Sequence, residues 1–480
     1  LPRRPLLLFH RTPKVDESIR PRGEYGTFTT LVTRAMQARD LFLIIGPPGT
    51  GKTSFGLVNL LREELLCPSA NVLLLSYTNR AVDEICSKLV EMQAVDPQFS
   101  FVRIGSELSC AAPYRPFLLS MRAREVEGGN GVRSLISRTR VFCGTTASLQ
   151  SHISLLQIKH FSLAIVDESS QILEHHLIGL LSAQREGTSA IDRFVFIGDH
   201  KQLPAVVQQP PEESRVDNPL LNAIHLTDCR LSLFERLLAQ FRTDRGYDER
   251  FVYMLTRQGR MHTDIADFPN HAFYQHMLRP VPLPHQLQPS VGVQSSNGLL
   301  RMLTSHRIVF VASPPVRVSP SAKTNDVEAR MIAATVYHIY LLHRDDFVAE
   351  GTVGVIVPYR NQISTVRHAI DRYGTDVLHH ITIDTVERYQ GSQRDYIIYG
   401  FTVHHRYQLN FLANNIFEED GSPIDRKLNV AMTRARLHLI LMGNPSLLSE
   451  IPVFDRLISY LRGKDSYLEM DAEQYCKGSF

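Results

Sequence analysis

The stretch GPPGTGKTS, Gly46 to Ser54, follows directly on the apolar run Leu41 to Ile45 and fits the pattern G-x-x-x-x-G-K-[ST]. Small residues there let backbone N–H groups close around phosphate oxygens, while the lysine supplies charge and the hydroxyl a magnesium ligand. Phe55, Val58, Leu61 and Leu65 follow at helical spacing, so the loop stands where a strand ends and a helix N-terminus meets an anion. Strand, loop and helix in this order constrain the chain to an α/β fold and imply that it binds a nucleoside triphosphate.

At 480 residues the chain exceeds one ordinary core, and about 150 residues per domain predicts two to four domains. A net charge of +3 does not by itself mark a nucleic-acid binder, so any polyanion site must come from local clusters of arginine. Six cysteines show neither C-x-x-C pairs nor the density of a disulfide scaffold, which implies a reducing, intracellular compartment, cytoplasmic or nuclear, or a bacterial cytoplasm. Twenty histidines include three doublets without partners at metal spacing and read as surface or packing residues. No apolar run approaches the roughly 18 residues that cross a bilayer, so no membrane partner is expected. The chain starts at Leu1, which leaves room for an upstream module on the same polypeptide.

Residues 1–25 are rich in proline and arginine and predict an extended lead-in or the end of a missing upstream module. A helical pattern from Phe28 leads into the first strand. The buried-strand run NVLLLS, 71–76, is followed by Thr78 and Asn79, where a strand ends and a helix begins; that position suits a cap and a phosphate contact equally. Over 111–140 six arginines stand against two glutamates, either as a solvated insertion or as a basic lip beside a polyanion path. FSLAIVDESSQ, 161–171, is an apolar strand ending in Asp167 and Glu168. Beside a phosphate loop, the aspartate is expected to hold magnesium and the glutamate to polarise the attacking water. RFVFIGDHKQLPAVV, 193–207, is a further strand whose polar turn puts Gln202 in reach of a terminal phosphate. LSLFERLLAQF, 231–241, predicts the helix that closes the first domain, with a hinge over 242–255. A second strand–helix alternation from 306 to 443 predicts another doubly wound parallel sheet.

Nine stretches in order, GPPGTGKT, SYTNRAVDEI, DESSQ, GDHKQLPAVV, SLFERL, QGRMH, VPYRNQ, DTVERYQGSQRDYIIY and LNVAMTRAR, resemble the motifs of superfamily 1 class B helicases. Within that class the pattern is similar to the group of the nonsense-mediated decay helicase and the replication nuclease-helicase. The resemblance implies two RecA-like doubly wound parallel-sheet domains in tandem, over 26–250 with an Arg-rich insertion at about 105–140 and over 251–452, with the nucleotide site in the cleft between them. A C-terminal helix and tail over 453–480 would follow. The cofactors implied are ATP and Mg2+.

By the same resemblance, Gly46, Pro47, Pro48, Gly49, Thr50, Gly51, Lys52, Thr53 and Ser54 cradle phosphate, with Thr53 and Asp167 on the metal. Glu168 acts on the water, Gln202 on the γ-phosphate, and Arg260 and Arg434 are the two arginines that meet the transferring phosphoryl group. Gln393 stands near the ribose, where the group carries a glutamate. Ser76, Thr78, Asn79, Thr145, Pro358, Tyr359, Arg360 and Thr385 match positions that contact single-stranded nucleic acid. The family's adenine-reading glutamine finds no counterpart in GTFTTLVTRAMQARD, 26–40, and Gly259 replaces an aromatic, so weak discrimination between ATP and GTP is expected. The expected activity is ATP-driven translocation or unwinding on single-stranded DNA, favoured over RNA, with 5′-to-3′ polarity. The alternative is a nucleotide-gated binding or remodelling module without processive unwinding.

Overall fold

The computed structural model describes residues 14–295, 297–315, 321–389 and 391–477. The first thirteen residues of the expected lead-in, and the last three of the expected tail, lie outside them. The chain divides into two units. The first runs to Leu255 without Pro48–Thr50 and Lys201–Leu203, which group with the second unit, Thr256 onwards.

The first unit is built on seven strands: β1 (Leu41–Ile45), β2 (Val72–Ser76), β3 (Phe101–Ile104), β4 (Val141–Thr145), β5 (Phe161–Val166), β6 (Ile191–Gly198) and β7 (Val252–Met254). They lie in the order β7-β1-β6-β5-β2-β4-β3, every pairing parallel. The strands read as near-continuous apolar runs because both faces are covered. Along β1, Leu41, Leu43 and Ile45 enter one core while Phe42 and Ile44 enter the other, as the two-residue period of a strand requires. Helices α1 (Thr29–Gln37), α2 (Val58–Leu65) and α3 (Asn79–Val95) cover the second of these faces through residues such as Leu31, Leu60, Leu61, Ile85 and Leu89.

Three expectations change in this unit. Residues 14–25 are fastened to it: Val15 bridges to Ala38, the backbone N–H groups of Arg22 and Gly23 donate to the Glu63 carboxylate at 2.9 and 3.0 Å, and the Tyr25 hydroxyl donates to the same group at 2.7 Å. The expected hinge over 242–255 instead holds a two-residue hairpin and β7, an edge strand of the sheet, because Val252 and its neighbours pair beside β1. The Arg-rich insertion folds into short helices, among them α4 (Leu119–Arg124) and α5 (Gly128–Arg138), and much of its positive charge is committed locally. Arg140 donates to the Leu65, Cys67 and Ala70 carbonyls past the end of α2, Arg115 to the Cys110 carbonyl and Arg138 to the Ser134 carbonyl. After it, α6 (Leu233–Gln240) opens with a reciprocal capping box between Ser232 and Glu235.

The second unit is built on β8 (Ile308–Ala312), β9 (Val353–Ile356), β10 (Thr382–Asp384), β11 (Arg394–Gly400), β12 (Ala435–Gly443) and β13 (Tyr467–Glu469), in the order β10-β9-β11-β12-β8-β13. All pairings are again parallel. Helices α7 (Asp326–Leu342), α8 (Arg360–Asp371), α9 (Arg426–Met432) and α10 (Pro452–Gly463) flank it. The expected tail is not one. After α10 the chain enters the sheet as β13, with Tyr467 level with Phe310, and Tyr475 beyond it is buried with its hydroxyl 2.7 Å from Thr335 Oγ1. No described helix of the chain is long and apolar enough to cross a membrane.

Glu328, in the first turn of α7, is fully buried beneath the end of β11. Its Oε1 accepts from the Thr402 N–H at 2.7 Å, while Oε2 has no hydrogen-bond partner among the described residues. Burial pushes this carboxyl up to about 8, although the Thr402 hydrogen bonds pull the other way. The folded chain therefore holds this proton more tightly than the unfolded chain, whose value is near 4.5. Stability from this group is complete below about 4.5 and is lost as pH rises through about 8, at up to about 1.4 kcal/mol per pH unit. Glu328→Gln, which keeps an oxygen for Thr402, is expected to flatten the dependence of melting temperature on pH between 5 and 8 and to raise it at pH 8. An unchanged slope in thermal scans across that range would count against a neutral buried acid.

Candidate functional site

Parallel pairing decides which loops meet in the first unit. β6 lies between β1 and β5, with Ile45 level with Gly198 and Val166 level with Phe196, so the segments after β1 and β5 leave the same edge of the sheet. Loops beyond the carboxyl ends of such strands are where α/β sheets bind ligands. Gly46 is anchored there by its N–H on the Gly198 carbonyl at 2.9 Å. Gly51 has φ of 73°, a conformation that favours glycine. Pro47 and Thr50 are buried and Ser54 is half-buried; Pro48, Gly49 and Thr50 are the three loop residues that group with the second unit.

The helix after the loop begins wide. Residues Lys52–Leu57 form a π-type turn, with the Gly56 N–H reaching the Gly51 carbonyl at 3.1 Å, before the α-helical path of α2. Such widenings are frequent at functional sites. Lys52 Nζ is 2.5 Å from Glu168 Oε1, and Thr53 Oγ1 donates to Asp167 Oδ2 at 2.6 Å. Burial opposes the charge on Lys52, but Glu168 and Asp167 outweigh it and hold the ammonium above its ordinary range. Asp167 is 2% exposed; burial raises its carboxyl, and the charge of Lys52 only partly offsets that. Glu168 has a left-handed backbone, φ 53°, which a non-glycine residue keeps only where its surroundings enforce it. The Glu168 N–H donates to Asp167 Oδ1 at 2.9 Å, so the two acids are locked to one another.

Within the second unit, the segment Lys201–Leu203 is held by Asn429, whose side chain donates to the Lys201 carbonyl at 2.7 Å. Gln202 accepts from Arg434 Nη2 at 3.0 Å, and both side chains are buried. Arg434 lies in the turn after α9 and also donates from Nε to the Val430 carbonyl. Arg260 donates from Nε to Gln393 Oε1 at 2.9 Å and from Nη1 to the Thr433 carbonyl at 3.1 Å. Gln393 thus meets Arg260, an uncharged acceptor opposite a guanidinium.

The eight positions matched to nucleic-acid contact fall at strand ends, four in each unit. Ser76 and Thr145 are register partners at the ends of β2 and β4. Thr145 and Thr78 cap helices, accepting from the Ser148 N–H at 3.0 Å and the Ala81 N–H at 3.2 Å; Asn79 is the first residue of α3. Thr78 is exposed, whereas Ser76 and Thr145 are buried and the Ser76 hydroxyl has no partner among the described residues. In the second unit, Pro358, Tyr359 and the exposed Arg360 lead from β9 into α8, and the buried Thr385 follows β10. The Tyr359 ring stacks on Phe411 at 4.9 Å between centroids.

Two family models, each described as an AAA domain, match the chain, one over 29–126 and 118–210 and the other over 229–446. The DNA replication ATP-dependent helicase/nuclease of Arabidopsis thaliana is 29% identical over 449 residues, covering 92% of this chain and 30% of that protein. Its counterpart in Xenopus laevis is 26% identical over 91% of this chain and 39% of that protein. A putative helicase of Danio rerio is 25% identical over 95% of this chain and 44% of that protein. These matches support the reading of the chain as a superfamily 1 class B helicase core. The chain spans less than half the length of each of these relatives. Among solved structures, that of a PRRSV helicase overlaps at a TM-score of 0.38 with 15% identity, over 88% of this chain and 56% of that one.

The helicase core contains one positioning residue that sequence reading passed over. Gln171 donates from Nε2 to Glu168 Oε2 at 2.9 Å, so both carboxylate oxygens of Glu168 have a partner, Lys52 on one side and Gln171 on the other. Gln171 closes the DESSQ stretch, and the signal lay in its spacing: a turn brings it back over Glu168, with the Gln171 N–H on the Glu168 carbonyl at 3.0 Å.

Proposed function

We propose that this helicase core hydrolyses ATP and uses the cycle to move along single-stranded nucleic acid, with DNA favoured over RNA and movement 5′ to 3′. The observation that carries the reading is the group of Lys52, Thr53 and Glu168, half-buried, around the buried Asp167, in which one ammonium serves two carboxylates at the mouth of a phosphate loop. Phosphate oxygens arriving at Gly46–Ser54 meet the N–H groups of the helix start and compete with Glu168 for Lys52. Release of Lys52 leaves Glu168, steadied by Gln171, as a carboxylate able to orient a water and take its proton. The Thr53 hydroxyl and the Asp167 carboxylate form an all-oxygen donor pair of the kind that would hold Mg2+. Bound there, the ion would neutralise charge on the phosphate chain. Gln202 and Arg434 act as one unit on the terminal phosphate, the amide oriented by the guanidinium, with Arg260 as the second cation.

The exposed hydroxyl of Thr78, the first turn of α3 at Asn79 and the cation of Arg360 suit sequence-independent contact with a phosphate backbone. Thr145, Thr385, Pro358 and Tyr359 frame these contacts, and Ser76 lies beneath them. The preference for DNA rests on the replication helicase/nucleases among the relatives, whose greater length also supports a further module on this polypeptide. Six free cysteines favour a reducing, intracellular setting.

Three outcomes are expected. ATP turnover rises on adding single-stranded oligonucleotides, more with DNA than with RNA; absence of stimulation by either, in a coupled phosphate-release assay, would remove translocation and leave the nucleotide-gated module. Glu168→Gln binds ATP at near wild-type affinity and loses at least about a hundredfold in turnover, the low end of what general-base catalysis supplies. Arg434→Ala lowers kcat by at least about tenfold with ATP affinity within about threefold of wild type, since its charge is needed only as the phosphoryl group transfers.

A further inference from the structure

The phosphate loop carries at its margin an aromatic pair that neither the motifs nor the proposed mechanism uses. Phe55, one turn into the widened helix, stacks on Phe28, the residue that caps α1, with ring centroids 5.5 Å apart and planes 21° from parallel. Phe55 is 55% exposed. Its ring lies against the loop itself: a Cβ on Gly51 would stand 2.6 Å from Phe55 Cδ2, so Gly51 is needed for the ring as well as for its backbone. Phe28 also lies against the core beneath it, whereas Phe55 does little for packing. Attachment of α1 to its neighbours is carried by Leu31, Val32 and Ala35, all buried, and Leu31 already fills the approach to Gly56 next to Phe55. A large aromatic ring held flat by a second ring, more than half open to solvent and in contact with a phosphate loop, is a surface for a planar group attached to the phosphates.

The glutamine that could read the edge of a base from the segment before the first strand is committed elsewhere. The one glutamine of the segment 26–40, Gln37, donates its amide to the carbonyls of Glu17 and Ile19, at 3.3 and 3.2 Å. The aromatic contribution of that segment is Phe28. We propose that Phe55, backed by Phe28, is the platform on which the nucleobase stacks, so that the site accepts purine nucleoside triphosphates by their ring faces and does not separate adenine from guanine. This rests on the reading of Gly46–Ser54 as the phosphate site. Purines gain over pyrimidines because they offer more ring area, and the two purines offer nearly the same.

Titration calorimetry of the full chain with ATP, GTP and inorganic tripolyphosphate tests it. In wild type, ATP and GTP are expected within about threefold of each other. Phe55→Ala is expected to weaken both by about tenfold, the scale of one base–aromatic stack, and to leave tripolyphosphate unchanged. The sequence contains no tryptophan, so Phe55→Trp places a single indole at the platform. Its emission should be quenched by ATP and by GTP and not by tripolyphosphate, with affinities near wild type. The inference falls if Phe55→Ala leaves ATP affinity unchanged, if tripolyphosphate weakens in parallel, if wild type prefers ATP over GTP by tenfold or more, or if the indole responds equally to tripolyphosphate. Lys52→Ala separates this from the underlying reading: it should weaken tripolyphosphate at least tenfold, and tripolyphosphate binding that survives it would overturn the phosphate site together with the platform.

Discussion

One half-buried ammonium, that of Lys52, holds the site together. Asp167 and Glu168 are neighbours on a turn with little access to water, and two such charges persist side by side only because Lys52 stands against them. That placement follows from strand order. With β6 between β1 and β5, a lysine seven residues beyond Ile45, carried on a turn with glycine at the left-handed position, comes to face an acid pair more than a hundred residues further on. A different order of the same strands would leave the lysine without its carboxylates and the carboxylates without their cation. The rest of the first unit, from its two apolar faces to the lead-in fastened on Glu63, keeps that order.

How far the sequence discloses this depends on the kind of feature. Strands covered on both faces have no alternation to misread, so LFLII, VLLLS and FSLAIV are visible as strands, and a parallel sheet follows from the helices between them. The phosphate loop and the acid pair are legible because their chemistry needs particular residue types at fixed spacing. What escaped was decided by contacts across long separations. Tyr467–Glu469 is three residues long and bears a charge, and only its pairing with Ile308–Ala312 makes it a strand. Val252–Met254 resembles a linker until it lies beside β1. The arginines of 111–140 suggest a solvated insertion or a basic lip by composition, and Arg140, Arg115 and Arg138 also donate to backbone carbonyls, which no count of charges reveals. Gln171 and the ring pair of Phe28 and Phe55 belong to the same category, since each depends on where a turn sends a side chain.

The two ends of the nucleotide site are therefore specified in different ways. At the phosphate end, charges, hydroxyls and backbone N–H groups are fixed by hydrogen bonds of defined geometry, and few substitutions preserve them. The ring pair beside Gly51 requires flatness and area, which several aromatic side chains provide. A site built in this way is strict about the group transferred and permissive about the group that carries it. Glu328 illustrates the opposite economy in the second unit: a polar group enclosed without full satisfaction, kept neutral by the absence of water around it.

The grip of Arg140 on the carbonyls past the end of α2 has a mechanical meaning. The helix that begins at the phosphate loop is pinned at its far end to the first residue before β4, and Glu63 ties its flank to the chain at Arg22 and Tyr25. A helix anchored at its base and side cannot slide along its own axis when charge gathers at its tip. Charge gathered at Lys52 therefore meets a helix held at its far end by Arg140, the residue that leads into β4, and at its flank through Glu63.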